Sequence, residues 1–216
     1  MIFVWILLGL ALVVFFFVIR AVVTSVRRFS EPQNLLEITD SLFGDRVPES
    51  FTEFSQWCIA NGFVHESDFL FHGVINAPPL QCTAWWSERE KTWAMLYASK
   101  DLSNTDFVSL LTNNTGLTTS SSADAMLLPQ TPNTYQQAFT RVTMQQQFGL
   151  HKQALELLLE NTAASLPDQA FDLEQSIILS LQKQMQYIRS LPLWYLRGPY
   201  WFFIGKNLRS NKMITP

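Results

Sequence analysis

The side chains that could perform acid–base, nucleophilic or metal chemistry are few and widely spaced. Histidine occurs three times, as His65, His72 and His151, and cysteine twice, as Cys58 and Cys82. His65 and His72 are seven residues apart, so on one strand they are expected to point to opposite faces of a sheet. No His or Cys pair has the spacing of a zinc site. We therefore predict no metal site and expect the two cysteines to be small buried hydrophobes.

Nucleophilic and phosphate chemistry also lack their usual patterns. A Ser or Cys nucleophile needs a His base and an orienting acid, and the sequence contains no nucleophile elbow. None of the eight glycines belongs to a phosphate-binding loop of the GxGxxG or GxxxxGK type. Glu88 and Glu90 form a carboxylate pair, but they alternate with Arg89 and Lys91, as at a solvated hairpin tip. The sequence therefore predicts a protein that is not an enzyme and binds no cofactor.

The first nineteen residues must position everything that follows. Eighteen consecutive residues, Ile2 to Ile19, are apolar. As a helix they extend about 27 Å, close to the hydrocarbon thickness of about 30 Å. No Lys or Arg precedes the run, and it is longer than the apolar region of a signal peptide. A cleaved signal peptide and a buried core helix are the alternatives, and the pattern favours a transmembrane helix.

The basic residues that follow this helix predict its orientation. Arg20, Arg27 and Arg28 lie just beyond its C-terminal end, and clustered cations prefer the cytoplasmic side of a membrane. We expect a single-pass protein of the inner (plasma) membrane, with its N-terminus outside and its remaining residues in the cytoplasm. In an organelle, the same side would be the matrix or stroma.

Charge is distributed unevenly along the chain. Residues 1–28 contain three arginines and no acid, residues 29–174 contain all 18 acids with six bases, and residues 175–216 contain six bases and no acid. The basic ends are attracted to an anionic leaflet, whereas the acidic middle is repelled by it. An acidic middle without an RNP motif also argues against nucleic-acid binding. We therefore expect the lipid bilayer as a partner, and no nucleic acid.

The pattern divides the chain into three parts within an α+β fold. They are a transmembrane anchor with its basic flank at residues 1–28, a cytoplasmic α+β domain at 29–190, and an aromatic, basic tail at 191–216. Aromatic and β-branched runs predict an antiparallel meander of four or five strands flanked by helices. The predicted strands are 68–75, 81–87, 92–99, 106–112 and 117–121. The third strand is apolar on both faces, which predicts a central position covered on both sides.

Helical spacing of apolar residues predicts the flanking helices. We expect a first helix over 35–43 that ends at Gly44, and a second one with Ser50 as its N-cap and Glu53 as the capping-box partner. Beyond the strands, helical spacing returns from Thr134, with a break near Gly149. A last helix ends near residue 190.

The tail combines aromatic rings with cations, which is typical of a membrane-interface segment. It is too short, and too interrupted by Pro192, Gly198 and Pro199, to be predicted as a spanning helix. The tail is predicted to dock onto the membrane or onto a partner protein. The alternative is that it forms part of the domain's own core. Together with the arginines after the anchor, the predicted interface or docking residues are Arg20, Arg27, Arg28, Trp194, Tyr195, Arg197, Tyr200, Trp201, Phe202, Phe203, Lys206 and Arg209.

Two functions fit these features. The first is an accessory, structural or assembly subunit of a larger membrane complex, whose partners are the bilayer and other subunits. The second is a stand-alone tethered module that senses a ligand, or a small membrane-anchored enzyme. The second predicts a concave pocket between sheet and helices with convergent polar groups. A sheet surface filled by Trp85, Trp86, Trp93 and Phe107 argues against such a pocket.

Overall fold

Within the residues that the structure describes, a sheet of seven strands forms the centre of the protein. The computed structural model describes residues 2–39, 42, 47–73, 78–99, 102–169 and 171–215. The strands follow the chain in order, and all neighbours are antiparallel except the last pair, which is parallel. They are β1 (Leu36–Ile38), β2 (Val64–Phe71), β3 (Leu80–Ser87), β4 (Thr92–Ala98), β5 (Ser103–Leu110), β6 (Gly116–Ser120) and β7 (Thr134–Ala138).

Helices cover both faces of this sheet. On one face, α2 (Glu49–Ala60) and α3 (Met144–Asn161) enclose an aromatic core around Phe54, Phe107 and Phe148. On the other face, the first turns of α4 (Leu173–Ser190) pack against strand residues including Trp86 and Trp93. Burial of an aromatic side chain of this size contributes about 1.5–3 kcal/mol. Both cores therefore stabilise the central strands.

The remaining helices form a second layer at one end of the domain. Helix α1 (Ile2–Phe29) is 28 residues long. The tail continues from α5 (Trp194–Tyr200) through a π-helical turn (Trp201–Gly205) into α6 (Lys206–Arg209). Helix α4 joins the two layers, because its start lies on the sheet while Met185 and Ile188 near its end pack against α1 and the tail.

The predictions for the middle of the sheet are confirmed. β3 and β4 cover the predicted ranges 81–87 and 92–99 to within one residue. β4 is the fourth of seven strands, and its alternating faces enter both cores. Trp85 and Phe107 fill the face under α2 and α3, whereas Trp86 and Trp93 fill the opposite face. This strand is therefore central and covered on both sides, as its sequence predicts.

The predicted strand count and the purely antiparallel order are wrong, because two predicted helical segments contain strands. Leu36–Ile38, within the helix expected over 35–43, pairs with β2. Thr134–Ala138, where a helix was expected to begin, pairs in parallel with β6. Left-handed backbone at Asn133 and Arg141 brackets this second segment, and such φ values are incompatible with a continuing helix. The expected end of the first helix at Gly44 lies outside the described residues.

Two predictions about helix ends are also wrong. Helix α2 begins at Glu49 with Pro48 as its N-cap, and no side chain caps it. A capping box is present at α3 instead. There the Thr143 hydroxyl accepts a hydrogen bond from the Gln146 backbone N–H, and the Gln146 side-chain oxygen accepts one from the Thr143 backbone N–H. Helix α3 then passes through Gly149 without a break.

Candidate membrane-interface site

Helix α1 consists of two parts with different surroundings. Every residue from Phe3 to Phe17 is exposed, and we call this part the free half. From Val18 to Phe29, which we call the packed half, α1 contacts the tail helix and α4. Val26 is fully buried there. Within the described residues, α1 is the one helix long and apolar enough to cross a bilayer.

The tail packs directly on the packed half of α1. Gly198 of α5 lies against Val22, and a Cβ atom at Gly198 would come within 2.6 Å of a Val22 methyl carbon. Glycine is therefore the residue that permits this close helix crossing. Pro199 lies within the helix, and the π-helical turn begins two residues later. The tail is therefore helical through Gly198 and Pro199, although both residues are predicted to interrupt a helix.

The predicted aromatic residues divide between the interior and the surface. Trp201 is buried beside Val26, Met185 and Ile188, and Trp194 is half-buried at the edge of the same cluster. Exposed rings belong to the other four aromatic residues predicted for this site: Tyr195, Tyr200, Phe202 and Phe203. One side of the tail helix therefore belongs to the core, and the other side presents exposed aromatic rings that are available for docking.

The predicted cations also have two kinds of environment. Lys206 donates to an Asp124 carboxylate oxygen at 2.7 Å, and its ammonium lies 5.1 Å from the centroid of the Phe202 ring. The Arg209 guanidinium donates to the backbone carbonyls of Leu127 at 3.3 Å and Leu128 at 3.2 Å. These two cations therefore hold the tail to the turn that follows β6.

The other four predicted cations are exposed, and they lie on α1 and α5: Arg20, Arg27, Arg28 and Arg197. Their side chains are placed where solvent or lipid headgroups can reach them. A cation near an anionic membrane surface contributes about 1 kcal/mol to binding. Sequence reasoning identified these residues from their charge alone. It missed the packing partners Val22, Val26 and Gly198, because no charge or aromatic ring marks them.

An apolar cavity lies where α1, the turn and the tail meet. Its volume is about 440 Å³. Six residues of α1 line it, namely Phe17, Val18, Ala21, Val22, Ser25 and Phe29, and the other side is formed by Leu127, Leu128 and Phe202. Ser25 supplies the one polar side chain among these residues. The cavity begins at the last residue of the free half, so it is continuous with the exposed surface of the anchor.

A buried polar network lies on the α3 side of the sheet, away from this junction. His151 is fully buried and makes hydrogen bonds with the Ser109 hydroxyl at 3.0 Å and the Thr119 hydroxyl at 2.9 Å. The Gln137 amide donates to the same Thr119 hydroxyl at 2.9 Å. Burial lowers the pKa of His151 to about 3, so the ring is neutral at pH 7. Its neighbours are hydroxyls rather than a carboxylate, and the network ties α3 to the sheet.

The remaining ionisable candidates are dispersed through the domain. His65 pairs with Asp68, and His72 pairs with Glu37. Both cysteines are buried and unpaired, and burial raises their pKa values. In the part of the chain that the structure describes, no three His, Cys, Asp or Glu residues are grouped so that they could hold a metal ion.

Burial raises the pKa of one carboxyl group, that of Asp106, toward neutral pH. Desolvation raises its pKa to about 6, and a hydrogen bond with Ser120 opposes that rise. Asp106 lies on the sheet beside Tyr97, whose pKa is also raised by burial and by the nearby carboxylate. This pair can influence stability with pH.

Comparison of the chain with known protein families, with characterised proteins and with solved structures finds no match. The function is therefore inferred from the geometry of the α1–tail junction.

Proposed function

We propose that this chain is a single-pass membrane protein that acts as a non-catalytic accessory or assembly subunit of a larger membrane complex. In this proposal, α1 spans the bilayer of the inner (plasma) membrane from Ile2 to about Ala21, with the free half inside the hydrocarbon layer and the N-terminus outside. The α+β domain lies on the cytoplasmic face. The tail helix holds the domain against that face and against the anchor.

The exposed apolar free half is the observation that carries this proposal. A run of fifteen exposed apolar residues is unfavourable in water, since apolar surface costs about 25 cal/mol per Å². The same surface is favourable in lipid, where the helix also satisfies its own backbone hydrogen bonds. Phe3 at 71 % exposure and Phe17 at 70 % mark the two ends of this run.

The packed half supports a permanent anchor over a removable signal peptide. Val22, Val26 and Phe29 contribute to the cluster that joins α1 to α4 and the tail. Removal of α1 would expose the other side of that cluster, including Trp201. A segment whose C-terminal half completes the core is expected to stay attached to the mature protein.

The depth of the junction supports an interfacial role for the tail. Twenty helical residues cross a hydrocarbon layer of about 30 Å, so a span that starts at Ile2 ends near Ala21. Val18, about one helical turn before that point, already lines the cavity between α1 and the domain. The exposed rings of Tyr200 and Phe203 on the tail helix therefore lie at the level of the headgroups, where aromatic side chains are favoured.

The filled sheet supports a structural role over ligand sensing. Trp85, Trp86, Trp93 and Phe107 are all buried, and the cavity between α4 and the first strands holds only about 20 Å³, roughly the room for one water. A stand-alone sensor is expected to carry a larger pocket with convergent polar groups. The exposed free half remains as the largest apolar surface available to other membrane spans.

The proposal is tested by purification of tagged full-length protein from its native membrane in mild detergent. We expect a complex larger than the 24.8 kDa chain, with at least one membrane partner in constant ratio. A matched variant replaces residues 3–17 by leucine, which keeps the hydrophobic length and removes the specific surface of the free half. Loss of the partner from this variant would locate the contact on the span, and its retention would locate it on the domain. A wild-type protein that runs as a monomer with nothing bound contradicts the proposal.

A further inference from the structure

The cavity at the α1–tail junction has the form of a built site rather than a gap between loose side chains. Its wall at Leu127 and Leu128 is fixed because Arg209 donates to the backbone carbonyls of both residues. Its wall at Phe202 is fixed by Lys206, which lies over the ring and pairs with Asp124 of the same turn. Two cations thus hold open a pocket that is itself apolar.

The lining of this cavity selects an apolar ligand. A bound water needs two to four polar partners, and Ser25 is the only lining residue with a polar side chain. The volume of about 440 Å³ lies within the range of about 300–1,000 Å³ that ligand pockets occupy. A water molecule therefore finds few hydrogen-bond partners in this cavity, whereas a hydrocarbon chain makes van der Waals contacts with its apolar walls.

The position of the cavity specifies a ligand that is present in the bilayer. Phe17 and Val18 lie within the first twenty residues of α1, which correspond to the hydrocarbon layer in the proposed placement. Ser25 and Phe29 lie four and eight residues beyond Ala21, about 6 and 12 Å further along the helix, at headgroup level and on its domain side. The cavity therefore extends from the acyl region toward the headgroups, in the direction that a lipid chain follows.

The size of the cavity argues against a helix of a partner protein as its occupant. A helix with a diameter of about 10 Å and a rise of 1.5 Å occupies about 120 Å³ per residue. A volume of about 440 Å³ thus accommodates roughly one helical turn. A single hydrocarbon chain is much thinner than a helix, so this volume accommodates a longer stretch of it.

We propose that this cavity binds one acyl chain of a phospholipid from the leaflet on the domain's side. The inference rests on the membrane placement proposed above and adds a specific lipid site to it. The bound chain fills the space between α1 and the tail, so that lipid becomes part of the attachment between the anchor and the domain.

The test uses full-length protein in nanodiscs that contain a phospholipid with a diazirine near the end of one acyl chain. After illumination, labelled peptides are identified by mass spectrometry. We expect labels on the free half, which any inserted helix would receive, and also on the peptide containing Leu127 and Leu128. The second label reports the cavity, because these residues lie far from α1 in the chain.

Matched variants separate the cavity from general lipid contact. Ala21 and Thr24 are both exposed and three residues apart on α1, but only Ala21 lines the cavity. We expect Ala21→Phe to fill the cavity and lower labelling at Leu127–Leu128 about tenfold, the effect of about 1.4 kcal/mol of lost binding. Thr24→Phe should leave it unchanged. Labelling of residues 3–17 should be the same in all three proteins.

Each other outcome overturns the inference in a distinguishable way. No label on residues 3–17 would overturn the membrane placement and the lipid site together. Labelling of residues 3–17 without label at Leu127–Leu128, or with a label there that Ala21→Phe does not reduce, would overturn the lipid site alone.

Discussion

The two halves of α1 belong to one helix but have opposite surroundings, and only the packed half contains cations, namely Arg20, Arg27 and Arg28. In the free half, every residue from Phe3 to Phe17 is exposed. In the packed half, Val26 has no exposed surface and Val22 lies against Gly198. One continuous helix therefore supplies both a surface suited to lipid and part of a protein core.

This difference shows why hydropathy alone describes such a helix incompletely. Apolar side chains leave water for lipid and for a protein core by the same hydrophobic effect, so their sequence does not state which one they enter. The packing partner decides. Gly198 and Trp201 on the tail identify the half of α1 that belongs to the protein.

Truncation of α1 should give the largest difference between the two halves, because one half is needed for membrane attachment and the other for folding. Removal of residues 3–16 takes away only exposed side chains, so we expect the domain to stay folded and to lose integral membrane attachment. Removal of residues 2–28 also takes Val22 and Val26 from their cluster. A fully buried Val such as Val26 contributes about 1.5–3 kcal/mol, a large part of a total stability of about 5–15 kcal/mol, and the half-buried Val22 adds to this.

Thermal unfolding and alkaline extraction of membranes measure these two effects. The shorter truncation should unfold near the temperature of the full chain, and the longer one should unfold much earlier or be recovered unfolded. Equal unfolding temperatures for both truncations would show that the packed half does not contribute to the core.

A glycine pair gives the same comparison with single substitutions. Gly198→Ala places a methyl group within 2.6 Å of Val22, and overpacking of this kind costs about 1–3 kcal/mol. Gly9→Ala meets nothing within 4 Å in the free half, and it should be neutral or slightly favourable for the helix. The unfolding temperatures of both variants check this prediction.

A smaller side chain at position 22 provides the control for the glycine pair. If the clash is the cause, Val22→Ala should recover part of the stability lost in Gly198→Ala. A Gly198→Ala protein as stable as the wild type would contradict the close crossing of α1 and α5.

A change of pH should alter the stability of the domain but not the membrane attachment of the free half. We expect its net effect to be the smallest of the three tests. His151 has a folded pKa of about 3 against 6.5 in the unfolded chain, so its contribution is complete above pH 6.5 and is lost as the pH falls toward 3. Asp106 has a folded pKa of about 6 against 3.8, so its contribution is complete below pH 3.8 and is lost as the pH rises through 6. The two trends oppose each other between pH 4 and 6.

Asp106→Asn separates these two trends. Unfolding temperatures should show that the variant gains more, relative to wild type, at pH 8 than at pH 4. Membrane retention should not change over this range, because residues 3–17 contain no ionisable side chain. A difference between variant and wild type that is constant with pH would show that Asp106 does not titrate as described.

The sequence predicted those parts of the fold that carry a strong local pattern. β3 and β4 could be located because aromatic and β-branched residues cluster between turn residues. β7 was predicted as part of a helix, because the spacing of Tyr135 and Phe139 also fits a helical repeat. Its pairing with β6 and the left-handed backbone at Asn133 are long-range and conformational features that a short sequence window does not contain.

The candidate site could be located from the sequence but not assembled. Charge and aromatic content identified the tail, and Arg209 and Trp201 belong to the junction. That Trp201 is buried while Tyr200 is exposed depends on which side of the tail helix meets α1. The cavity arises from three segments that are distant in the chain, so no local pattern predicts it.

The depth of α1 in a bilayer is the most direct test of the central claim. Spin labels at exposed sites four residues apart would be placed at Val4, Leu8, Leu12, Phe16, Arg20, Thr24 and Arg28. Collision with oxygen, which concentrates in lipid, is then compared with collision with a water-soluble nickel chelate. We expect oxygen to dominate from Val4 to Phe16 and the chelate to dominate from Thr24, with the change near Arg20. Chelate access throughout the free half would contradict the membrane placement of this protein.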